Sequence, residues 1–174
     1  MINGSDMAHS FPMIRAGGLF ILIMGIGVAL GGVFSAQRKL CLALGGGAAT
    51  IAIVLTASVL SRPFGEPSYL QLWALGGSIL LEVVLISYVV ASYKRARERV
   101  FLLAVLLVVG IHFLPMALAF GPLCIALGIC VIANASLGLW VFRVVPLKYL
   151  WVADGMLKIA FGAFMFSMAG ASGA

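Results

Sequence analysis

Residues 69–99 read YLQLWALGGSILLEVVLISYVVASYKRARER, an apolar stretch with one carboxylate, Glu82, near its middle and a cationic cluster at its end. The apolar part, from Tyr69 to Tyr93, is long enough for a helix to cross the roughly 30 Å hydrocarbon core of a bilayer. Lys and Arg at the end of such a helix are typical of the cytoplasmic side of a membrane. The stretch therefore predicts a membrane-spanning helix whose carboxyl-terminal end faces the cytoplasm.

The composition of the whole chain agrees with a membrane protein. Of its 174 residues, 64% are hydrophobic and 9% are charged, whereas soluble globular domains carry about 25% charged residues. The mean hydropathy is +1.22. The net charge of +6 does not indicate a nucleic-acid-binding protein, because most of the Lys and Arg residues lie in three short loops between apolar segments. We therefore expect the lipid bilayer, and no nucleic acid, to contact this chain.

Hydropathy divides the chain into six spans with approximate bounds 16–36, 40–60, 69–93, 100–120, 122–142 and 149–170. The spans form three hairpins, each closed by a short basic loop. Residues 1–15 and 171–174 remain as tails outside the membrane. The predicted fold is an all-α, single-domain, six-helix transmembrane bundle.

The distribution of Lys and Arg predicts the direction of threading. The three hairpin loops hold eight of the eleven Lys and Arg residues, while the opposite side holds only Arg15 and Arg62. Because positive charge accumulates on the cytoplasmic side, we expect both termini outside. The predicted location is the cytoplasmic (inner) membrane of a bacterium, as a multi-pass protein.

Two internal symmetries fit this layout. The chain divides either into three hairpins or into spans one to three and spans four to six, and the second division is that of an inverted repeat of the transporter type. Sequence identity between the segments does not choose between the two divisions.

Ionisable side chains within the spans are the candidate site residues, because a charge at the bilayer centre costs about 2.5 to 3.5 kcal/mol on insertion scales. Glu82 lies about twelve residues from either end of span three. Ser78 lies one turn before Glu82, and Gln71 and Tyr93 fall on the same helical stripe. This polar stripe indicates either a carboxylate that binds a proton or cation along a pathway, or a carboxylate that fixes helix packing.

Four further polar residues lie within the other spans: His112, Asn134, Asp154 and Lys158. His112 is either a proton relay or an imidazole bonded to nearby backbone. Asp154 precedes Lys158 by four residues, the favourable order for an ion pair within one helix, but Lys158 is also deep enough to pair with Glu82. Asp154 has a second, structural interpretation as an anchor near the start of its helix, where the helix dipole favours an anion. If the faces of these spans converge, Glu82, Asn134, Lys158 and His112 form one buried polar site.

Catalytic, metal and cofactor motifs are missing from the sequence. It contains no Gly-x-Ser-x-Gly nucleophile elbow, no glycine-rich phosphate loop and no pair of histidines that could bind a metal within the membrane together with a carboxylate. We therefore assign no catalytic residue and no cofactor, and we rank an intramembrane enzyme third, behind transport and membrane assembly.

The segments His112-Phe-Leu-Pro115, Gly121-Pro122 and Asp154-Gly-Met-Leu-Lys158 resemble those of uncharacterised small multi-pass membrane proteins of bacteria. This resemblance implies a six-span membrane protein and no particular activity. In length and three-hairpin layout alone, the chain is also similar to six-span acid-resistance membrane proteins, and no motif transfers their function to this chain.

Two functions suit a six-span bundle that leaves hardly any residues outside the membrane. The first is movement of a small solute or ion through a site built on Glu82, whose carboxyl group alternates between protonated and charged forms. The second is a non-enzymatic role as an interaction, assembly or accessory-subunit protein, in which the polar groups only fix helix pairing. Because a bundle of 174 residues is small for alternating access, its size favours a homodimer.

Overall fold

The computed structural model describes residues 4–93 and 97–168, and every regular element in these two ranges is helical. Seven α-helices follow one another along the chain: α1 (Gly4–Ser10), α2 (Ile14–Val33), α3 (Arg38–Ser61), α4 (Tyr69–Tyr93), α5 (Glu98–Phe120), α6 (Leu123–Ser136) and α7 (Leu147–Ser167). A π-helical segment, Leu137–Val141, continues α6. The prediction of an all-α fold is confirmed.

Six of these helices, α2 to α7, are long and apolar enough to cross a membrane, α6 together with its π-helical segment. The prediction of six membrane-span helices is therefore confirmed as well. The placement of both termini outside stays a prediction, because helix length and composition do not determine the direction of crossing. Two cations on which it relies, Lys94 and Arg95, lie outside the described residues, as do residues 169–174 at the carboxyl terminus.

The contacts between the six long helices arrange them in a row: α3, α2, α7, α6, α5, α4. Each predicted hairpin is present as a contacting pair, α2 with α3, α4 with α5, and α6 with α7. Helices α3 and α4 stand at the two ends of the row, and only 11% of the most apolar part of each is buried. Their exposed apolar side chains form a surface that is stable against lipid chains and unstable in water.

Glycines bring α2 into backbone contact with the helices on both of its sides. A β-carbon added at Gly155 of α7 would lie 2.5 Å from the amide nitrogen of Ala29 in α2. A β-carbon added at Gly27 of α2 would lie 2.8 Å from the α-carbon of Gly45 in α3. Membrane helices approach this closely only where their residues are small, so these glycines determine where α2 sits.

The two ends of the bundle differ in charge. We call the end with the three hairpin connections the basic end, because its described cations include Arg38, Lys39, Arg97, Arg99, Arg143 and Lys148. The opposite, terminal end holds α1 and the connection between α3 and α4. Helix α1 packs against the bundle there: Ala8 is fully buried, and Gln71 Nε2 donates a hydrogen bond to the carbonyl oxygen of Ser10 at 2.9 Å.

The interior of the terminal half is a closed apolar cluster. Its largest side chains come from α2, α5, α6 and α7 and are at most 6% exposed; they include Ile14, Ile21, Phe120, Leu127 and Met165. Ala8 of α1 belongs to the same cluster. The buried charges of the protein lie between this cluster and the basic end.

Candidate functional site

The most deeply buried charges are Asp154 and Lys158, one turn apart on α7. Their side chains are 0% and 3% exposed, and Lys158 Nζ donates a hydrogen bond to Oδ2 of Asp154. Of the two partners considered for Lys158, the structure therefore places Asp154, and not Glu82, next to it. The other carboxylate oxygen, Oδ1, is buried and has no hydrogen-bond partner among the described residues. The ion pair thus keeps one unused acceptor inside the bundle.

Glu82 and His112 form a second pair, between α4 and α5. Oε2 of Glu82 lies 3.6 Å from Nδ1 of His112, slightly beyond hydrogen-bond distance. Nδ1 has no hydrogen-bond partner in the described part of the chain. The side chain of Glu82 is 32% exposed, whereas that of His112 is 9% exposed. Glu82 is therefore the more exposed member of the pair and His112 the more buried one.

A single aromatic ring contacts both pairs. Phe113 stacks on the His112 imidazole with ring centroids 5.0 Å apart, and the centroid of Phe113 lies 6.0 Å from Lys158 Nζ. Through this ring the two pairs form one unit that spans three helices, α4, α5 and α7.

Arg38 extends this unit toward the basic end. Its guanidinium lies 5.0 Å from the centroid of the Trp151 ring and 3.1 Å from a carboxylate oxygen of Glu98. Trp151 precedes Asp154 by three residues on α7 and is 1% exposed, and its Nε1 has no hydrogen-bond partner among the residues described. We refer to this row of ionisable side chains as the polar path: Arg38, Asp154, Lys158, His112 and Glu82.

A cleft of about 660 Å³ opens at the basic end beside the first member of the polar path. It is lined by residues 35–40 together with Glu98, Phe101 and Leu102, so both partners of the Arg38–Glu98 ion pair border it. At 1.5 Å of rise per residue, Asp154 and Lys158 lie about 10 and 16 Å from the start of α7 at this end. The polar path therefore extends from an open cleft to the middle of the bundle, where the apolar cluster of the terminal half begins.

Two of the predicted site residues, Ser78 and Asn134, have structural contacts instead. Ser78 is 1% exposed and donates its hydroxyl hydrogen bond to the carbonyl oxygen of Leu75, in its own helix, at 2.8 Å. Asn134 Nδ2 donates a hydrogen bond to the carbonyl oxygen of Leu150 at 2.9 Å, which joins α6 to α7. Each of these two side chains thus has a backbone hydrogen-bond partner that does not belong to the polar path.

Arg38 and Trp151 were not singled out by the sequence as site residues. Arg38 has the same sequence context as Lys39, a loop cation beside an apolar span, yet Arg38 is 8% exposed and Lys39 is exposed. No pattern in the sequence distinguishes the two. Only the packing of α3 against α2, where Arg38 Nε donates a hydrogen bond to the carbonyl oxygen of Gly31 at 3.3 Å, brings Arg38 inward.

Residues 4–173 match the DUF6609 family, which is described as a family of unknown function. No curated protein and no solved structure matches the chain. The match covers nearly the whole chain, and it confirms the resemblance to an uncharacterised family without adding an activity.

Proposed function

We propose that this protein, which belongs to the DUF6609 family of unknown function, moves a small solute or ion across a bacterial cytoplasmic membrane along the polar path. One observation carries the proposal: two pairs of ionisable side chains meet at mid-bundle depth, and one carboxylate among them is still accessible. Charged groups at this depth are costly, and in membrane proteins they mark ion pathways and proton relays.

Glu82 is the proposed binding group because it is the accessible member of its pair. In its charged form the carboxylate attracts a cation or a protonated His112, and it releases either one when it takes up a proton. Oε2 of Glu82 lies 3.6 Å from His112 Nδ1, so a small side-chain movement would bring the two atoms within hydrogen-bond distance. Alternation between these forms couples proton movement to solute movement.

Asp154 and Lys158 supply fixed charges along the route between the basic end and Glu82. The unused Oδ1 of Asp154 is an acceptor for a polar solute or a water molecule. Lys158 places a positive charge beside the ring that also contacts His112, so the occupancy of one pair affects the protonation of the other.

We take the basic end as the side from which the polar path is entered, because the cleft of about 660 Å³ opens there. Apolar side chains fill the interior of both halves, in the apolar cluster of the terminal half and around Leu103, Leu106 and Trp151 nearer the basic end. Transport by alternating access then requires a second conformation, in which the apolar cluster separates and the basic end closes.

Proton flux into liposomes tests the proposal. Purified protein is reconstituted into liposomes that contain the pH-sensitive dye pyranine, and inward gradients of Na⁺ or K⁺ are applied. We expect at least one gradient to change the internal pH in wild-type liposomes. Glu82→Gln keeps the side-chain shape but removes the titratable group, and it should lower the rate to that of protein-free liposomes.

The matched control is Glu66→Gln, because Glu66 is exposed in the connection between α3 and α4. This variant should retain the wild-type rate. Wild-type flux in Glu82→Gln would refute the role of Glu82, and liposomes that respond to none of the gradients would count against ion transport.

A second candidate, a role in membrane assembly, is supported by the outer faces of α3 and α4. A β-carbon added at Gly47, Gly76 or Gly77 would meet no other atom within 4 Å, so another helix can approach these glycines closely. The partner is then a second copy of this chain, as a homodimer, or a different membrane protein. Gly76→Leu should abolish cross-linking of wild-type oligomers while leaving ion flux unchanged, and a monomeric wild-type protein in lipid nanodiscs would eliminate the homodimer.

A further inference from the structure

A second cleft at the basic end is lined by three arginines. Its volume is about 390 Å³, and it lies between the start of α5 and the π-helical segment that follows α6. The lining residues are Arg97, Arg99, Val100, Leu139, Trp140 and Arg143. None of them belongs to the polar path, so this cleft needs an explanation of its own.

Arg99 is held in place by the protein itself. Its guanidinium donates hydrogen bonds to the carbonyl oxygens of Val145 at 2.6 Å, Gly138 at 3.0 Å and Phe142 at 2.7 Å. These carbonyl groups belong to the end of the α6 segment and the turn after it, where helix carbonyl groups lack intrahelical partners. Arg99 therefore stabilises this turn and leaves a fixed positive charge in the wall of the cleft.

No carboxylate neutralises the three arginines in the described part of the chain. The ion pairs found there are Arg38–Glu98, His112–Glu82 and Lys158–Asp154. Glu98, although adjacent in sequence to both Arg97 and Arg99, contacts Arg38 instead. The exposed guanidinium groups of Arg97 and Arg143 are thus available to an external anion. Guanidinium groups bind phosphate oxygens in a two-pronged geometry that suits this arrangement.

The surroundings of the cleft indicate which phosphate it meets. The cleft lies at the ends of membrane-span helices, which is the level of the lipid headgroups. Trp140 is 62% exposed, and a Trp ring at a helix end favours the membrane interface. Basic pockets between span ends bind anionic headgroups in this way.

We propose that the cleft formed by Arg97, Arg99, Trp140 and Arg143 binds the phosphate group of an anionic phospholipid. Arg97 and Arg143 contact the phosphate, Arg99 holds the turn in position, and the acyl chains lie along the exposed apolar residues 140–142. This site does not depend on the transport proposal, because it shares no residue with the polar path.

Lipid retention measured by native mass spectrometry tests the site. Detergent-solubilised wild-type protein is titrated with phosphatidylglycerol and, separately, with phosphatidylcholine, and we expect a preference for the anionic lipid. Arg97→Gln and Arg143→Gln should each weaken phosphatidylglycerol binding about fivefold, and the double variant about 25-fold. Arg143→Lys keeps the charge but loses the two-pronged geometry, so it should bind phosphatidylglycerol less tightly than wild type and more tightly than Arg143→Gln.

The matched control is Arg62→Gln, which removes an exposed arginine at the terminal end and should leave lipid binding unchanged. Equal losses in Arg62→Gln and Arg143→Gln would mean that net charge alone attracts the lipid, and would overturn the site. A competition arm adds inorganic phosphate. Binding of free phosphate without a preference for phosphatidylglycerol over phosphatidylcholine would overturn the lipid assignment.

A measurement on the wild-type protein avoids any dependence on the folding of the variants. Phosphatidylglycerol with a photoreactive group near its phosphate is cross-linked to the protein in nanodiscs, and the adduct is mapped by peptide sequencing. We expect the adduct within residues 97–100 or 139–143. Adducts distributed over all three basic connections, or absent from these two segments, would overturn the proposal.

Discussion

Removing one member of the Asp154–Lys158 pair is expected to destabilise the protein by about 3 to 5 kcal/mol, the cost of leaving one buried charge without its partner. Both side chains are essentially inaccessible, so solvent cannot replace the lost partner. In Asp154→Leu the Lys158 ammonium retains only the ring of Phe113, 6.0 Å away. In Lys158→Met the Asp154 carboxylate loses the partner that its Oδ2 has in the wild-type protein.

The double variant Asp154→Leu/Lys158→Met removes both charges together. If the single losses were independent, the double variant would lose about 6 to 10 kcal/mol, the sum of two single losses. Replacement of a buried ion pair by apolar groups of similar volume is instead often neutral or stabilising. We therefore expect the double variant to lie within about 2 kcal/mol of wild type, which gives a coupling energy of about 4 kcal/mol or more.

Unfolding in mixed micelles measures these differences. The mole fraction of sodium dodecyl sulfate is increased, and unfolding is followed by the fluorescence of the three tryptophans of the chain. Ser167→Ala is the control on the same helix, because Ser167 is exposed and its hydroxyl group bonds only to the carbonyl oxygen of Phe164. This control should change the free energy of unfolding by at most about 0.5 kcal/mol.

A double variant as unstable as the sum of the single variants would refute the reasoning, because the two charges would then not be coupled. A stable double variant also separates folding from function. It should be inactive in the liposome assay if the pair contributes charges to the transport route, and active if the pair only joins two turns of α7.

Two further pairs of substitutions, each a test variant with its control, examine the packing and the basic end. Gly162→Ala should destabilise the bundle by about 1 to 3 kcal/mol, because the added β-carbon would lie 2.5 Å from the amide nitrogen of Leu22. The control, Gly47→Ala, adds a β-carbon that meets no atom within 4 Å. It should stabilise the bundle by about 0.5 to 1 kcal/mol. Equal effects of the two would argue against close contact between α2 and α7. Arg99→Gln should cost about 1.5 to 3 kcal/mol through the loss of charged hydrogen bonds, whereas Arg62→Gln should be neutral, and both are measured by the same unfolding assay.

The number of membrane-span helices and the all-α class were predictable because the bilayer imposes a length of about 20 apolar residues on each span. The pairing of Asp154 with Lys158 was among the predicted alternatives, since four residues is one turn of a single helix. These features depend on local sequence alone. They require no knowledge of which helices are neighbours.

The neighbours themselves were not predictable from this sequence. A helix that is apolar on all sides gives no signal of the side that faces the protein, and the contact between α2 and α7 joins the first span to the last. Glu82, Asn134, Lys158 and His112 were grouped by depth alone. In the structure, Asn134 bonds to the backbone at Leu150 instead, because the direction in which a side chain points depends on rotation about its helix axis, which depth does not determine.

The order of helix contacts has the symmetry of an inverted repeat. Helix α2 lies between α3 and α7, and α5 lies between α6 and α4. Matching each span with the one three places along the chain therefore turns the neighbours of α2 into the neighbours of α5. Because three is an odd number, matched spans cross the membrane in opposite directions. Under this matching α4 corresponds to α7, and these two helices carry Glu82 and the Asp154–Lys158 pair. Each packs against the first span of the other half, which is where inverted-repeat transporters place their binding sites.

The two halves nevertheless differ at one contact. Helix α6 packs against α7, but α3 and α4, the corresponding pair, share no extensive contact in the described part of the chain. Under the proposed transport function, this broken symmetry corresponds to one of two states, in which the site opens to one side of the membrane. Helix α4, which has no extensive contact with α3 within the described ranges, carries Glu82, the more exposed carboxylate. Helix α7, which packs against α6, carries the buried ion pair of Asp154 and Lys158. The difference in exposure between the two charged centres therefore follows from the same asymmetry that distinguishes the two halves.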